Sequence, residues 1–444
     1  MIQWLRPTLG AVAELGPQYG ANASAVAPTG THPRYVRITD IDANGRLFPE
    51  SHAEADLDDP NPFLLRDGDL LFARSGATVG KTYLYSTSDG PCIFAGYLIR
   101  FRLRRTIVDR RFAFYFTRST TYRDWIESRK HVAAQPNVNG AEYASLPIPL
   151  PVVAEQRRIV EILDQADALR RQRAETDEKV QRILPALFHK MFGEPASWEH
   201  TACTVPLGQL VDAQGGGTPS TKNPDYWNGG TPWVSPKDMK RDFISDAEDH
   251  ITELAVEETT SRLIQVSSIL VVVRGMILAR DVPIAMTERE VAINQDMKAL
   301  TVTDERVSPL YLFASLKALK PRLLAAIGTA AHGTRKLDTD RLLSMPIAIP
   351  DPEKHERFVR WFQDGRRIVD SATGSGPKIN RVFDVLLHRA FTGQLTAKWR
   401  EKHKKQLEAE LQEQRRILEQ LAAERKSRKI AQTHRQRNDE GDRS

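Results

Sequence analysis

A chain of 444 residues that repeats itself at one displacement is constrained to fold as two versions of one unit. The segment LPIPLP (146–151) recurs as MPIAIP (345–350), 199 positions further on. The same displacement sets HKMF (189–192) on HRAF (388–391), DLLFARSG (69–76) on SILVVVRG (268–275) and GYLIRF (96–101) on QDMKAL (295–300). A displacement of 198 sets YVRITDI (35–41) on WVSPKDM (233–239). Chance matches scatter in displacement, whereas four of these share one and the fifth differs from it by a single position. A period this long means domain duplication rather than a solenoid. The globular halves keep their apolar pattern but share few polar residues, so two similar scaffolds carry different surfaces.

Each copy ends in a helix. After Pro151, apolar or small residues fall at Ile159, Leu163, Ala166, Leu169, Thr176, Val180, Leu184 and Leu187, close to the spacing of a coiled-coil seam. Pro185 is expected to kink the last turn. The second copy supplies a matching stripe in Phe358, Phe362, Ile368, Val369, Ala372, Ile379, Val382, Leu386 and Ala390. TGSGP (373–377) interrupts it and should break or bend that helix. The alternating prolines of LPIPLP read as a stiff extended strap that fixes how the domain meets its helix. The expected organisation is a first globular domain at 1–151, a helix at 152–195, a second globular domain at 196–350, a distal helix at 351–395, and a charged tail at 396–444. The tail is expected to be helical through Leu407, Leu411, Leu418 and Leu421 and disordered after about Lys426.

Composition excludes several classes. Apolar residues make up 41% of the chain, enough for real cores, yet the longest apolar run of the central region, Ile269 to Val273, is too short to span a bilayer. The start, MIQWLRPTLG, carries no basic leader followed by an apolar stretch, so no secretory signal is expected. Cys92 and Cys203 fit neither a disulfide framework nor a zinc site, which points to a reducing cytoplasm. The net charge of +6 resides mostly in residues 398–444, with 14 Lys/Arg against 9 Asp/Glu, while the remainder balances 49 against 48. Net charge therefore does not argue for nucleic-acid binding; local clustering has to.

The ordered set LPIPLPVVAEQRRIVEILDQAD (146–167), GGGTPSTKNPDYWNGGTPWVSPKDM (215–239) and LLHRAFTGQLTAKWR (386–400) resembles the specificity subunit of type I restriction–modification systems, over nearly the whole chain. The resemblance implies α/β (α+β) target-recognition domains, duplicated, and separated by long helices that form an antiparallel coiled-coil spacer. It implies that each domain reads one half of a bipartite site in double-stranded DNA. Two methyltransferase subunits and, where present, restriction subunits would be the partners. S-adenosylmethionine, ATP and Mg would be used by those partners, with no cofactor in this chain. The distal TGSGP and the divergent DPEKHERF (351–358) depart from the family pattern and put the regularity of that side in question.

Phosphate contacts should supply affinity and base edges sequence choice. In LIRFRLRR, alternation puts Arg100, Arg102 and Arg104 on one strand face, suited to a phosphate track or to a charged, protected sheet edge. ARSGATVGK (73–81) offers Arg74, Ser75 and Lys81 in a glycine-bearing turn, and the second copy keeps Arg274 and Gly275. GGGTPSTKNPDYW offers Thr218, Ser220 and Lys222, with Tyr226, Trp227 and Trp233 expected to pack the domain and Lys237 on a following turn. GTAAHGTRK (328–336) brings His332, Arg335 and Lys336; its counterpart RKHVAAQPN (129–137) brings Lys130, Gln135 and Asn137. Asn and Gln suit adenine edges and Arg suits guanine, but residue type alone assigns no base. Plain surface turns remain the alternative for each of these loops.

Catalysis is not expected of this chain. NPDY (223–226) resembles the Asn-Pro-Pro-Tyr signature of adenine methyltransferases, but Asp225 replaces a proline and no clear methyl-donor glycine motif precedes it. PDPEK (350–354) lacks the sheet context of a metal-dependent nuclease, and no G-x-x-x-x-G-K-[ST] loop is present. The rival functions are a coiled-coil scaffold that binds only protein and a stand-alone methyltransferase.

Overall fold

The computed structural model describes residues 3–130, 136–195, 198, 203–329, 334–373 and 376–441. It comprises two compact units: Met1–Gln172 with Pro377–Ser444, and Arg173–Gly376. Both mix helix and sheet, as the resemblance implied.

In the first unit, strands Ala13–Tyr19, Leu98–Leu103, Leu70–Ala73 and Thr82–Leu84 lie side by side in that order, each antiparallel to the next. Leu70–Ala73 is an unbroken apolar run because every residue in it is buried. Phe72, Phe101, Phe112, Phe116, Tyr122 and Tyr143 pack the core between this sheet and the helices Arg110–Phe116, Thr120–Lys130 and Gly140–Ala144. A separate parallel pair joins Arg34–Val36 to Cys92–Phe94.

The second unit repeats the plan. Val211–Gly215, Met297–Val302, Ile269–Val272, Ile284–Thr287 and Phe243–Ile244 form a five-stranded sheet. Register shows that this is duplication rather than similarity of type. Leu70 lies opposite Phe101 and Ile269 opposite Leu300. Tyr35 and Val36 face Ile93 and Phe94, as Trp233 and Val234 face Ala292 and Ile293, so the displacements of 198 and 199 read from the sequence are both built into the pairing. Asp40 and Asp238 close the turn after each of those strands by accepting the N–H of Arg37 and Ser235, at 2.8 and 2.9 Å.

The proline strap is extended in both copies, held by isolated antiparallel bridges from Pro147 to Thr8 and Leu150 to Leu5 in the first and forming the short strand Pro346–Ala348 in the second. Its prolines occupy alternate positions, which leaves the N–H groups of Ile148 and Leu150 to bond the carbonyls of Pro7 and Leu5, both at 2.8 Å. Pro346–Ala348 pairs antiparallel with Thr204–Pro206 in the same way.

The helices follow. Val153–Gln181 is succeeded by Ile183–Phe192, with the break at Arg182 and Pro185 in the first turn of the second segment. Pro352–Thr373 is succeeded by Gly376–Phe391, so the chain starts a new helix within TGSGP. Inside the first unit, Ile159 and Leu163 share a core with Phe383, Leu387 and Ala390. Arg170 stacks 4.3 Å from the Phe383 ring, while Glu155 receives Thr396 and Arg400, so the helices Val153–Gln181 and Gly376–Phe391 run antiparallel. Inside the second unit, Phe188 meets Phe358 at 5.6 Å and Leu184 reaches Gly365, again antiparallel. The seam differs from expectation in detail: Leu169, Ile368 and Val382 are exposed, and Phe383 and Leu387 are buried in their place.

The tail is helical over Lys404–Gly441, past the Lys426 where order was expected to end. It is a docked element of the first unit. Leu407 and Leu421 are buried, and Gln414 donates to the carbonyls of Ile107 and Pro151, which Gln156 also bonds. No helix among the described residues is long and apolar enough to cross a membrane.

Candidate nucleic-acid interface

Each unit carries one turn built on the same frame. In the first, strand Leu70–Ala73 runs into a 3-10 turn at Gly76–Thr78 and returns as Thr82–Leu84. In the second, Ile269–Val272 leads to Met276–Ala279 and returns as Ile284–Thr287. A glycine with positive φ opens each turn, Gly76 at 66° and Gly275 at 131°, where a side chain would strain the backbone. Ser75 bridges to Asn137 and Arg274 to Lys336, four residues related by the displacement of 199. The bridge brings Asn137 and Lys336 beside the turns, while Gln135 and His332 lie outside the described residues.

The chemistry presented on that frame differs. Around the first turn, the Arg74 guanidinium lies 5.0 Å from the Tyr19 ring, Asn137 is exposed, and Tyr97 is 61% exposed. Lys130 is the last residue of its helix. Lys81 is turned inward, donating to the Ile41 carbonyl at 3.1 Å. Around the second turn, Arg274 and Arg335 are exposed, the Arg335 carbonyl accepts the Gly275 N–H at 3.1 Å, and Lys336 pairs with Asp338 at 2.7 Å. Met276 is 69% exposed at the tip beside exposed Ile277. Thr218 donates to Gln295, which precedes the Asp296 whose carbonyl bonds the Arg274 N–H at 3.2 Å. Thr218, Ser220 and Lys222 are all exposed.

The expected basic strand face is not available in the form read from the sequence. Arg100 is only 5% exposed; it bonds Gln18, the Leu64 carbonyl at 2.7 Å and, as an ion pair at 3.6 Å, Asp69. Burial pushes its pKa below the ordinary arginine value. Arg102 makes a two-pronged contact with buried Asp69 at 2.7 and 2.8 Å. Both guanidiniums are occupied inside the fold, and Arg104 lies beyond the strand end. Lys237 is likewise engaged, with Asp249 at 2.8 Å and Glu248 at 3.3 Å, and the Asp249 hydrogen bond leads in raising its pKa. Tyr226, Trp227 and Trp233 pack together as expected, the two tryptophan rings 5.3 Å apart.

Sequence reasoning missed Tyr19, Tyr97, Met276, Ile277 and Gln295. The displacement held a signal for the pair at the second turn, since Met276 and Ile277 take the places of Ala77 and Thr78. The suspected catalytic motifs are local caps. Asn223 accepts the Asp225 N–H at 3.2 Å, and Asp351 accepts that of Lys354 at 3.1 Å. Among the described residues no group of three or more His, Cys, Asp or Glu is placed to hold a metal.

Residues 8–180 and 199–370 each match the model of the type I restriction modification DNA specificity domain. The chain belongs to that family. Two matches to one domain model coincide with the two copies seen in sequence and register. The specificity subunit of the type I restriction enzyme EcoR124I/EcoR124II of Escherichia coli is 33% identical over 173 residues, 39% of this chain and 43% of that one. The MjaIX specificity subunit of Methanocaldococcus jannaschii is 31% identical over 177 residues, 38% and 39% of the respective chains. Each alignment spans less than half of the relative it matches. The type I S subunit of M. genitalium has a related fold, with a TM-score of 0.53 at 14% identity over 88% of this chain and 96% of that one. A chain from a type I R-M system solved to describe its assembly and conformational transition gives 0.50 at 18% identity over 89% and 99%. At these identities the likeness concerns fold alone.

Proposed function

We propose that this specificity-family chain is the non-catalytic DNA-recognition subunit of a type I restriction–modification complex. Each unit reads one half of a bipartite site in double-stranded DNA, and the chain thereby directs adenine methylation or ATP-dependent cleavage by partner subunits. One observation carries the reading: the turns after Ala73 and Val272 share register, bridge and glycine, yet Ala77 and Thr78 in one stand where Met276 and Ile277 stand in the other. A conserved frame with exchanged tips is what reading two unlike half-sites requires. Residues proposed to approach DNA are Arg74, Ser75, Lys130, Gln135 and Asn137 in the first unit, and Thr218, Ser220, Lys222, Arg274, His332, Arg335 and Lys336 in the second. Arg100, Arg102, Lys81 and Lys237 hold the scaffold.

Two methyltransferase subunits dock on the duplicated helices, and restriction subunits join that core in the cytoplasm. S-adenosylmethionine, ATP and Mg serve the partners. Methylation mapping of the source genome tests the proposal: an adenine-modified, gapped, asymmetric motif should vanish when the gene is deleted. Persistence of every modified motif after deletion refutes it. A gel shift in which the purified complex prefers no bipartite site would favour the scaffold reading, and methyl transfer by the isolated chain would favour an enzyme.

A further inference from the structure

The terminal helix changes character where its packing ends. From Lys404 to Glu424 it carries four Lys/Arg against five Asp/Glu; from Arg425 to Asn438 it carries six Lys/Arg and no carboxylate. Leu407, Gln414 and Leu421 hold the first stretch in the first unit, and Arg425 adds a bond to the Ala13 carbonyl at 3.0 Å. Beside Arg425 lies Arg104, whose Nε is buried and has no hydrogen-bond partner. Burial, followed by the Arg104 charge, lowers the Arg425 pKa, so the two guanidiniums crowd each other without a carboxylate to relieve them. Neither is ion-paired among the described residues. Ile430 is the one large apolar residue after Leu421, so the basic stretch has no stripe to bury.

We propose that Arg104, Arg425 and the run Lys426, Arg428, Lys429, Arg435 and Arg437 grip the phosphate backbone of double-stranded DNA without regard to sequence. This contact is separate from the half-site turns and rests on the reading that the chain binds DNA. Charge complementarity selects the occupant. The run from 425 to 437 spans ~20 Å of helix at about 1.5 Å per residue, and a duplex offers about one phosphate charge per 1.7 Å of axis. Mixed charge up to Glu424 suits solvent; six cations in succession repel one another and gain from displacing the counterions of DNA.

The test is the salt dependence of full-chain binding to a duplex lacking the target motif. Changing Lys426, Arg428, Lys429, Arg435 and Arg437 to Gln keeps helix-forming residues and leaves the anchor intact. Unchanged thermal unfolding checks that the fold is retained. The log–log slope is expected to fall by about 4 to 5 for five lost phosphate contacts, and by about 1 for Arg104→Gln alone. The ratio of target to non-target affinity should stay within about twofold, because phosphate contacts carry no sequence information. A slope change below about 1 for the five-residue variant overturns the proposal. So does loss of methyltransferase subunits at unchanged slope, which would assign the run to an acidic protein surface. If the unaltered chain shows no bipartite preference, the specificity reading fails instead, and the slope still decides the role of the tail.

Discussion

At Asp69 a single carboxylate answers one buried and one part-buried guanidinium, and its removal tests what the strand arginines are for. Asp69 is fully buried, pairs with Arg102 through both oxygens, stands 3.6 Å from Arg100 and accepts the Arg66 N–H at 2.9 Å. Asp69→Asn leaves those charges desolvated and partly unanswered, which costs about 3–5 kcal/mol; chemical denaturation of the variant measures it. Arg102→Gln should lower stability in the same assay yet leave the salt dependence of DNA binding unchanged, and a reduced slope would return Arg102 to the DNA surface. A second residue carries a pH dependence. His355 occupies the place of Gln156, and its Nε2 lies 3.1 Å from the Ser308 N–H, as the Gln156 oxygen lies 2.7 Å from that of Asp109. Accepting that N–H requires the neutral ring, and burial, opposed by Glu356, lowers its pKa from the ordinary 6.5. The unfolded chain therefore takes up the proton more readily. The stabilisation is complete above pH 6.5 and is lost as pH falls through the lowered folded-state value. Unfolding free energies from pH 7.5 to 5 should fall less steeply in His355→Gln; an unchanged pH profile would remove His355 as the source.

Among elements, the two parallel strand pairs depend on close passage of backbone. A Cβ on Gly20 would sit 2.2 Å from the Phe94 carbonyl oxygen, and one on Gly216 would sit 2.0 Å from that of Ile293. Gly20→Ala and Gly216→Ala should each destabilise their unit by roughly 2 kcal/mol or more by thermal melt, as overpacking does. Gly16→Ala, where the added Cβ meets nothing within 4 Å, should stay within roughly 0.5 kcal/mol. Equal costs at all three sites would contradict the packing. These elements were legible in part. The displacement located both sheets because buried strands repeat as apolar runs, and Pro151 and TGSGP punctuated the helices. Charge alternation at Arg100 and Arg102 misled, since a strand pattern does not disclose that Asp69, more than thirty residues earlier, lies against it. The docked tail was half legible: Leu407 and Leu421 mark a seam, but a buried glutamine at 414 between them resembles a solvated position.

For the molecule as a whole, the consequence of duplication is that the two units can be altered one at a time. If the paired helices set the unread gap, inserting four residues into both Val153–Gln181 and Pro352–Thr373 adds about 6 Å of helix. The methylated motif should then gain one or two base pairs of gap with unchanged half-sites; an unaltered gap would separate helix length from spacing. The turns allow a sharper test. Replacing Met276 and Ile277 by the Ala and Thr found at 77 and 78 leaves Gly275 and the Arg274–Lys336 bridge in place. Apolar contact at a groove edge discriminates thymine methyls, and each good base contact is worth about 1–3 kcal/mol. The double variant should therefore lose or relax one half-site by roughly tenfold or more and keep the other, as read by selection from randomised duplexes. Two half-sites changing together would mean that the turns act through the common fold, and no change in either would place base reading elsewhere in the units.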